Sequence, residues 1–302
     1  MRRKSVCVTL LCLAVVLILA MAAPAGAVIG GTPDTANSYS NVGMNMEYGW
    51  LPGYPTSYAI AATCTLVRND PPDNVIVLCA AHMLAGVAFT LPNRVIFEPL
   101  TDADWAWAVP DSVAYGPNTY EVLDHAIHTG FDPAPYQGYS VRDCIGPTRE
   151  DVALMWLDRQ VLDPDTGKAV VPATVVGLHG LDDIDVRGEM FRLVGYGLNG
   201  WLQGNSIQAT HNGKVAASWS GRNYGDASVV CTEAAYLDRY LKLTSAACDF
   251  DSGGPVFHGN PAIDVAVASF AEDGGNAPAY FFRLDTKSAQ DFLHENGVPT
   301  LP

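Results

Sequence analysis

Apolar positions along this chain come mostly in short runs of five to ten residues, rich in β-branched and aromatic types. Examples are YAIAATCTLV (58–67), NVIVLCAAH (74–82), NRVIFEP (93–99), DVALMWL (151–157), MFRLVGYG (190–197), AIDVAVASF (262–270) and AYFFRLD (279–285). Gly, Pro, Asn and Asp punctuate them, which is the pattern of many short strands joined by turns. Helical periodicity is scarce. Its main occurrence is TKSAQDFLHEN, about 286–296, where Ala289, Phe292 and Leu293 share one face, Asp285 can cap the start and Gly297 can close the end. The pattern predicts an all-β barrel or sandwich body finished by one helix.

A different kind of apolar run opens the chain. Met1-Arg2-Arg3-Lys4 precedes an apolar stretch from Val6 to Met21 and the small residues Ala25-Gly26-Ala27. A basic start, an apolar middle and an A-x-A site read as a secretory signal peptide, residues 1–27, removed after Ala27. About twenty apolar residues could instead span a bilayer. The A-x-A site and the lack of a charged stop-transfer flank favour cleavage, so the expectation is a secreted protein without stable membrane attachment.

Removal of 1–27 takes away three basic residues and no acidic ones, moving the net charge from −15 to −18. That balance excludes nucleic acid, whose phosphates demand Lys and Arg clusters. The remaining 275 residues suffice for one large or two small domains, with no repeat or low-complexity linker. Five cysteines remain, Cys64, Cys79, Cys144, Cys231 and Cys248. In an oxidising compartment most should pair, and the odd number leaves one over. None has C-x-x-C spacing and no His sits beside them, so no metal site is expected.

Three stretches carry chemistry. VLCAAHML sets His82 just after an apolar strand, REDVALMWLD sets Asp151 at the head of another, and CDFDSGGPVF sets Ser252 in a Gly-rich turn. A serine hydroxyl is a weak nucleophile until an imidazole accepts its proton. The imidazole needs a carboxylate on its other nitrogen to fix the tautomer and stabilise the imidazolium. Glycines around the nucleophile let backbone N–H groups approach a developing oxyanion. Each residue alone has an ordinary structural reading; in the order His, Asp, Ser they form a set. His125 and His128 in DHAIHTGFD are read as structural, and the acidic runs DPDTG and LDDID as solvated loops.

With VIGG at Val28, CAAH at His82, DVAL at Asp151, VGYG at Val194–Gly197, DSGGP at Ser252 and FFRLD before the last helix, the chain resembles the trypsin/chymotrypsin family of serine endopeptidases, in a secreted bacterial-type form. The resemblance implies two six-stranded β-barrels, residues 28–165 carrying His82 and Asp151 and residues 166–302 carrying Ser252, with the site in the cleft between them. It implies that His82 is the general base, Asp151 its orienting carboxylate and Ser252 the nucleophile, with no cofactor and with protein or peptide substrates. Phe250 and Ser252 would supply the oxyanion N–H groups, and the Val28 ammonium would pair with Asp251. Phe250 departs from the family, which has glycine there, so a catalytically impaired homologue acting as a binding module is the alternative. The primary pocket would be formed by Ala246, Ser269, Phe270, Ala271 and Ala279, giving a preference for small or apolar residues before the scissile bond. The family pattern also suggests bridges Cys64–Cys79 and Cys231–Cys248, leaving Cys144 over. A monomer is expected.

Overall fold

The computed structural model describes residues 32–34, 36–49, 58–72, 74–85, 94–97, 117–132, 150–182, 190–197, 215–220, 239–243, 247, 251–259, 262–271 and 279–302. Fourteen strands are found among them. The first sheet contains β2 (Val42–Gly49), β3 (Tyr58–Asp70), β4 (Asn74–Cys79), β5 (Arg94–Ile96), β6 (Thr119–Ile127) and β7 (Ala153–Leu157). It closes into a six-stranded antiparallel barrel in the order β2-β3-β4-β7-β6-β5, with β5 returning to β2. The second sheet has six longer strands: β9 (Met190–Gly195), β10 (Val215–Ser220), β11 (Tyr240–Leu243), β12 (Pro255–His258), β13 (Ile263–Ala271) and β14 (Ala279–Arg283). They run in the order β10-β9-β12-β13-β14-β11, extended by two-residue pairings of β1 (Thr32–Pro33) with β10 and β8 (Thr174–Val175) with β13.

The run NVIVLC in β4 is continuously apolar because the strand has two cores to serve. Val75, Val77 and Cys79 point into the first barrel with Leu66, Phe97 and Met155. Ile76, Leu78 and Ala80 join a second core with Val267, Phe281 and Leu293 from the other sheet and the terminal helix. In β7 the alternation repeats, with Ala153, Met155 and Leu157 inside the barrel and Leu154, like Val152 just ahead of the strand, outside it. A strand buried on both faces reads as an unbroken apolar run. β4 and β7, paired Cys79 to Ala153, are therefore the wall shared by both halves. A smaller seam packs Val42, Met44 and Ile96 against Val194, Tyr196 and Phe257.

Two short helices complete the described elements: α1 (Ala81–Leu84), a single turn after β4, and α2 (Lys287–Glu295). The expected cap of α2 is displaced by one residue. Thr286 is the N-cap, its hydroxyl accepting the Ala289 N–H at 3.2 Å. Asp285 is fully buried and engaged elsewhere, accepting from Arg283 Nε (2.9 Å), Arg283 Nη2 (2.8 Å) and the Leu181 N–H (2.8 Å). A short polar side chain caps best where no stronger partner competes for it.

The expected Cys64–Cys79 bridge is not formed. Both cysteines are buried thiols in the first barrel's core, Cys64 donating weakly to the Gly43 carbonyl at 3.5 Å. Packed there, they behave as small apolar side chains, and burial pushes the Cys64 thiol far above its ordinary range. Cys144, Cys231 and Cys248 lie outside the described residues, as do residues 1–27.

Candidate active site

The β4/β7 register sets two of the candidate residues together. With Cys79 opposite Ala153, continuation of β4 leads to His82 three residues on, and the approach to β7 passes through Asp151 two residues before. Both therefore emerge at one end of the shared wall. Asp151 holds His82 in two ways: Oδ1 accepts the His82 backbone N–H at 2.9 Å, and Oδ2 lies 2.8 Å from His82 Nδ1. The backbone bond fixes where α1 starts, and the ring bond fixes the imidazole about its own axis.

Asp151 is almost wholly buried. Burial alone would raise its carboxyl. The His82 charge, the His82 ring, the Ser269 hydroxyl and the His82 N–H together outweigh that and hold it below the ordinary carboxylate range. An ionised carboxylate on Nδ1 assigns the ring proton to that nitrogen and leaves Nε2 as the acceptor. That is the tautomer a general base requires.

Ser269, expected in a pocket wall, has a hydroxyl that donates to Asp151 Oδ2. The strand DVAVASF shows why it could have been anticipated. Ser269 is a buried polar residue preceded by the apolar stretch 265–268, and a buried hydroxyl must find a partner.

The turn bearing Ser252 is docked by its backbone between β3 and β13, beside this end of the wall. The Ser252 carbonyl accepts the Thr63 N–H at 2.9 Å and the Gly253 N–H donates to the Ala268 carbonyl at 2.7 Å, while within the turn the Gly254 N–H donates to the Asp251 backbone carbonyl at 2.9 Å. Gly253 has φ +83°, and a Cβ there would collide with the Thr63 carbonyl and come within 3.0 Å of the Ala80 amide. Only glycine lets the turn approach so closely. Its neighbours are thus Ala80, two residues before His82, and Ala268, one before Ser269. His82 and Ser269 are each bonded to Asp151, and the Ser252 turn abuts the segments that carry them.

Asp251 is buried behind the turn, with Oδ1 accepting the Gly197 N–H at 2.9 Å. Side chains at Gly195 or Gly197 would strike its carboxylate. The spacing Gly-x-Gly is therefore what admits Asp251. Val28, Ala246 and Phe250 lie outside the described residues, and for Phe270 and Ala271 only the strand is described. Ala279 is buried in β14, paired with Ala271 on one side and Leu243 on the other. His125 is exposed, its amide bound to Asp124, whereas His128 is buried against α2. Among the described residues no group of three or more His, Cys, Asp or Glu is placed to hold a metal ion, and no helix is long and apolar enough to cross a membrane.

No family model and no curated protein sequence matches the chain. Solved structures do. A structure of HL collagenase superposes with a TM-score of 0.58 at 14% identity, covering 91% of this chain and 100% of its own. A structure of GrC, granzyme C, does so with a TM-score of 0.56 at 15% identity, covering 88% of this chain and 97% of its own. Both neighbours are chymotrypsin-like serine proteases. At such identities the likeness is one of fold: this chain has the chymotrypsin-like β architecture.

Proposed function

We propose that this chain is a serine endopeptidase that hydrolyses peptide bonds through His82, Asp151 and Ser252. The observation that carries the reading is Asp151: a carboxylate sealed from water, kept ionised, and bonded to both the amide and the ring of His82. Burying a charge is costly unless its partners are fixed, and here the partner is an imidazole beside a serine turn. In the proposed cycle His82 Nε2 takes the Ser252 Oγ proton as the oxygen attacks the substrate carbonyl. The tetrahedral oxyanion is met by the N–H groups of Phe250 and Ser252. Its collapse expels the amine with the proton held by His82, leaving an acyl-enzyme. Water, deprotonated by the same imidazole, then releases the acid and restores Ser252.

Further parts of the reading rest on sequence. The chain is exported, residues 28–165 and 166–302 form its two halves, and cutting after Ala27 frees the Val28 ammonium to pair with Asp251. Export and activation are then one event, which amino-terminal sequencing of secreted protein tests; any start other than Val28 rules it out. Cys231–Cys248 ties the loop before the nucleophile. Alanines at 246 and 279 favour small or apolar residues before the scissile bond, and the enzyme acts as a monomer on peptides or proteins.

The first experiment is labelling of protein beginning at Val28 with a fluorophosphonate probe, with mass spectrometry to locate the adduct and Ser252→Ala as control. Label on Ser252, absent from the control, is expected. A folded protein that takes no label would mean that Phe250 closes the oxyanion site, and the binding-module reading would replace this one.

A further inference from the structure

Asp151 does not lie within a strand. It lies in a three-residue strap, 150–152, just ahead of β7, and the strap is laced to the turn that follows β6. The His128 N–H donates to the Val152 carbonyl at 3.1 Å, and the Glu150 N–H donates to the Gly130 carbonyl at 3.4 Å. Where the turn goes, the carboxylate follows.

That turn is held from the other half of the molecule. The His128 imidazole is buried against the Phe292 ring of α2, with centroids 5.1 Å apart. His128 Nδ1 accepts the Gly130 N–H at 2.9 Å, so the ring proton sits on Nε2. That nitrogen faces Ser288 at the start of α2, 3.3 Å from its carbonyl oxygen and 3.1 Å from its hydroxyl. A parallel tie joins Glu150 Oε1 to Arg239 Nη1 at 3.4 Å, just ahead of β11. The Glu150 side chain occupies the same side of Gly130 as the imidazole, since a Cβ at Gly130 would meet Glu150 Cγ at 2.7 Å and His128 Nδ1 at 3.1 Å.

The catalytic aspartate and histidine come from the first barrel, the serine from the second sheet. Their relative placement depends on what fastens one half to the other. We infer that His128 is a positioning residue, latching the Asp151 strap to α2, and that the terminal helix thereby fixes the carboxylate relative to the Ser252 turn. The inference rests on the catalytic reading of His82, Asp151 and Ser252.

The two ring nitrogens can be tested separately. His128→Asn keeps an acceptor for the Gly130 N–H but is too short for Ser288; His128→Gln can reach Ser288 but gives up the Gly130 bond. With active sites counted by fluorophosphonate titration, His128→Asn should lower kcat about 10-fold with KM within about twofold, and His128→Gln should recover most of that loss. Phe292→Leu, which keeps apolar bulk in α2 but removes the ring, should lower kcat about threefold. If His128→Asn lowers only the melting temperature and leaves kcat intact, or if the Asn and Gln variants lose kcat equally, the latch is wrong. A wild-type protein that neither labels at Ser252 nor cleaves peptides overturns the catalytic reading and the latch together, whereas labelled, active wild type with indifferent variants overturns the latch alone.

Discussion

Two buried carboxyls of this protein have opposite fates, and the difference is the company each keeps. Asp151 has an imidazole, a hydroxyl and an amide on it and is held below the ordinary carboxylate range. Asp264, in β13 beside a bulge in its pairing with β12, is equally inaccessible, and neither of its oxygens has a hydrogen-bond partner of ordinary geometry. Burial pushes its carboxyl well above the ordinary range, only partly offset by the nearby N–H groups of Ala266 and Val256. The signs of the pH effects follow. Asp151 contributes stability that is present above the unfolded-chain value, about 4, and is lost as pH falls through its lower folded value. Asp264 binds its proton more tightly folded than unfolded, so its contribution is fully present below about pH 4 and is lost as pH rises toward its raised value. Urea unfolding of the wild type and Asp264→Asn across pH 4 to 8 should show a downward slope in the wild type that the variant lacks; equal slopes would mean that the carboxyl finds a partner after all. At the other carboxyl, Ser269→Ala removes one hydrogen bond from an ionised group. It should lower kcat by about 10-fold, against about 10⁴-fold for Asp151→Asn, which also removes the tautomer control. Steady-state kinetics on a single peptide substrate separates the two.

At the scale of elements, placement of the candidate nucleophile depends on one glycine. The Ser252 turn fits against β3 and the end of β4 because Gly253 adopts a positive φ and carries no Cβ. Gly253→Ala combines a strained backbone with a collision against the Thr63 carbonyl, so it should cost about 2 kcal/mol or more in stability. The turn would also be displaced from His82, with kcat falling at least about 100-fold. Denaturant melts and fluorophosphonate labelling rates check the two halves of that expectation, and an Ala variant that labels at the wild-type rate would refute the docking argument. The elements themselves were largely legible in the sequence. The runs 74–79, 153–157, 190–195, 263–271 and 279–283 are strands, as their β-branched and aromatic composition indicates, and α2 falls where the 3.6-residue pattern put it. Strands β2 and β6 were harder to see. β2 carries Gly43 and Asn45, and β6 is largely solvent-facing, so neither offers a continuous apolar run. What the pattern could not supply was the choice of partner for a buried polar atom. Asp285 binds Arg283 rather than capping α2, Ser269 gives its hydroxyl to Asp151, and the Cys64 thiol settles on a carbonyl rather than on Cys79. Each choice is made by a residue distant in sequence or by a competing short-range donor, and a single chain read locally carries no record of it.

The described residues form two β-sheets, and the larger of the two main cores is drawn from both. Ile76, Leu78, Val152 and Leu154 belong to the first barrel, yet they pack with Val265, Val267, Phe281 and Phe282 of the second sheet and with Ala289 and Leu293 of α2. Neither half can lose its structure without exposing the outer face of β4 and β7, which is as apolar as the inner one. A two-barrel chain of this length would ordinarily be expected to unfold in steps. Here the shared wall predicts the opposite: far-UV circular dichroism, tryptophan fluorescence and loss of fluorophosphonate labelling should report one urea midpoint. Leu154→Ala, on the face of β7 that serves the common core, should shift all three together by an amount worth about 3 kcal/mol. If labelling is lost at a lower urea concentration than the dichroism, the halves separate before they melt, and the site would then be governed by the seam between them rather than by the stability of either.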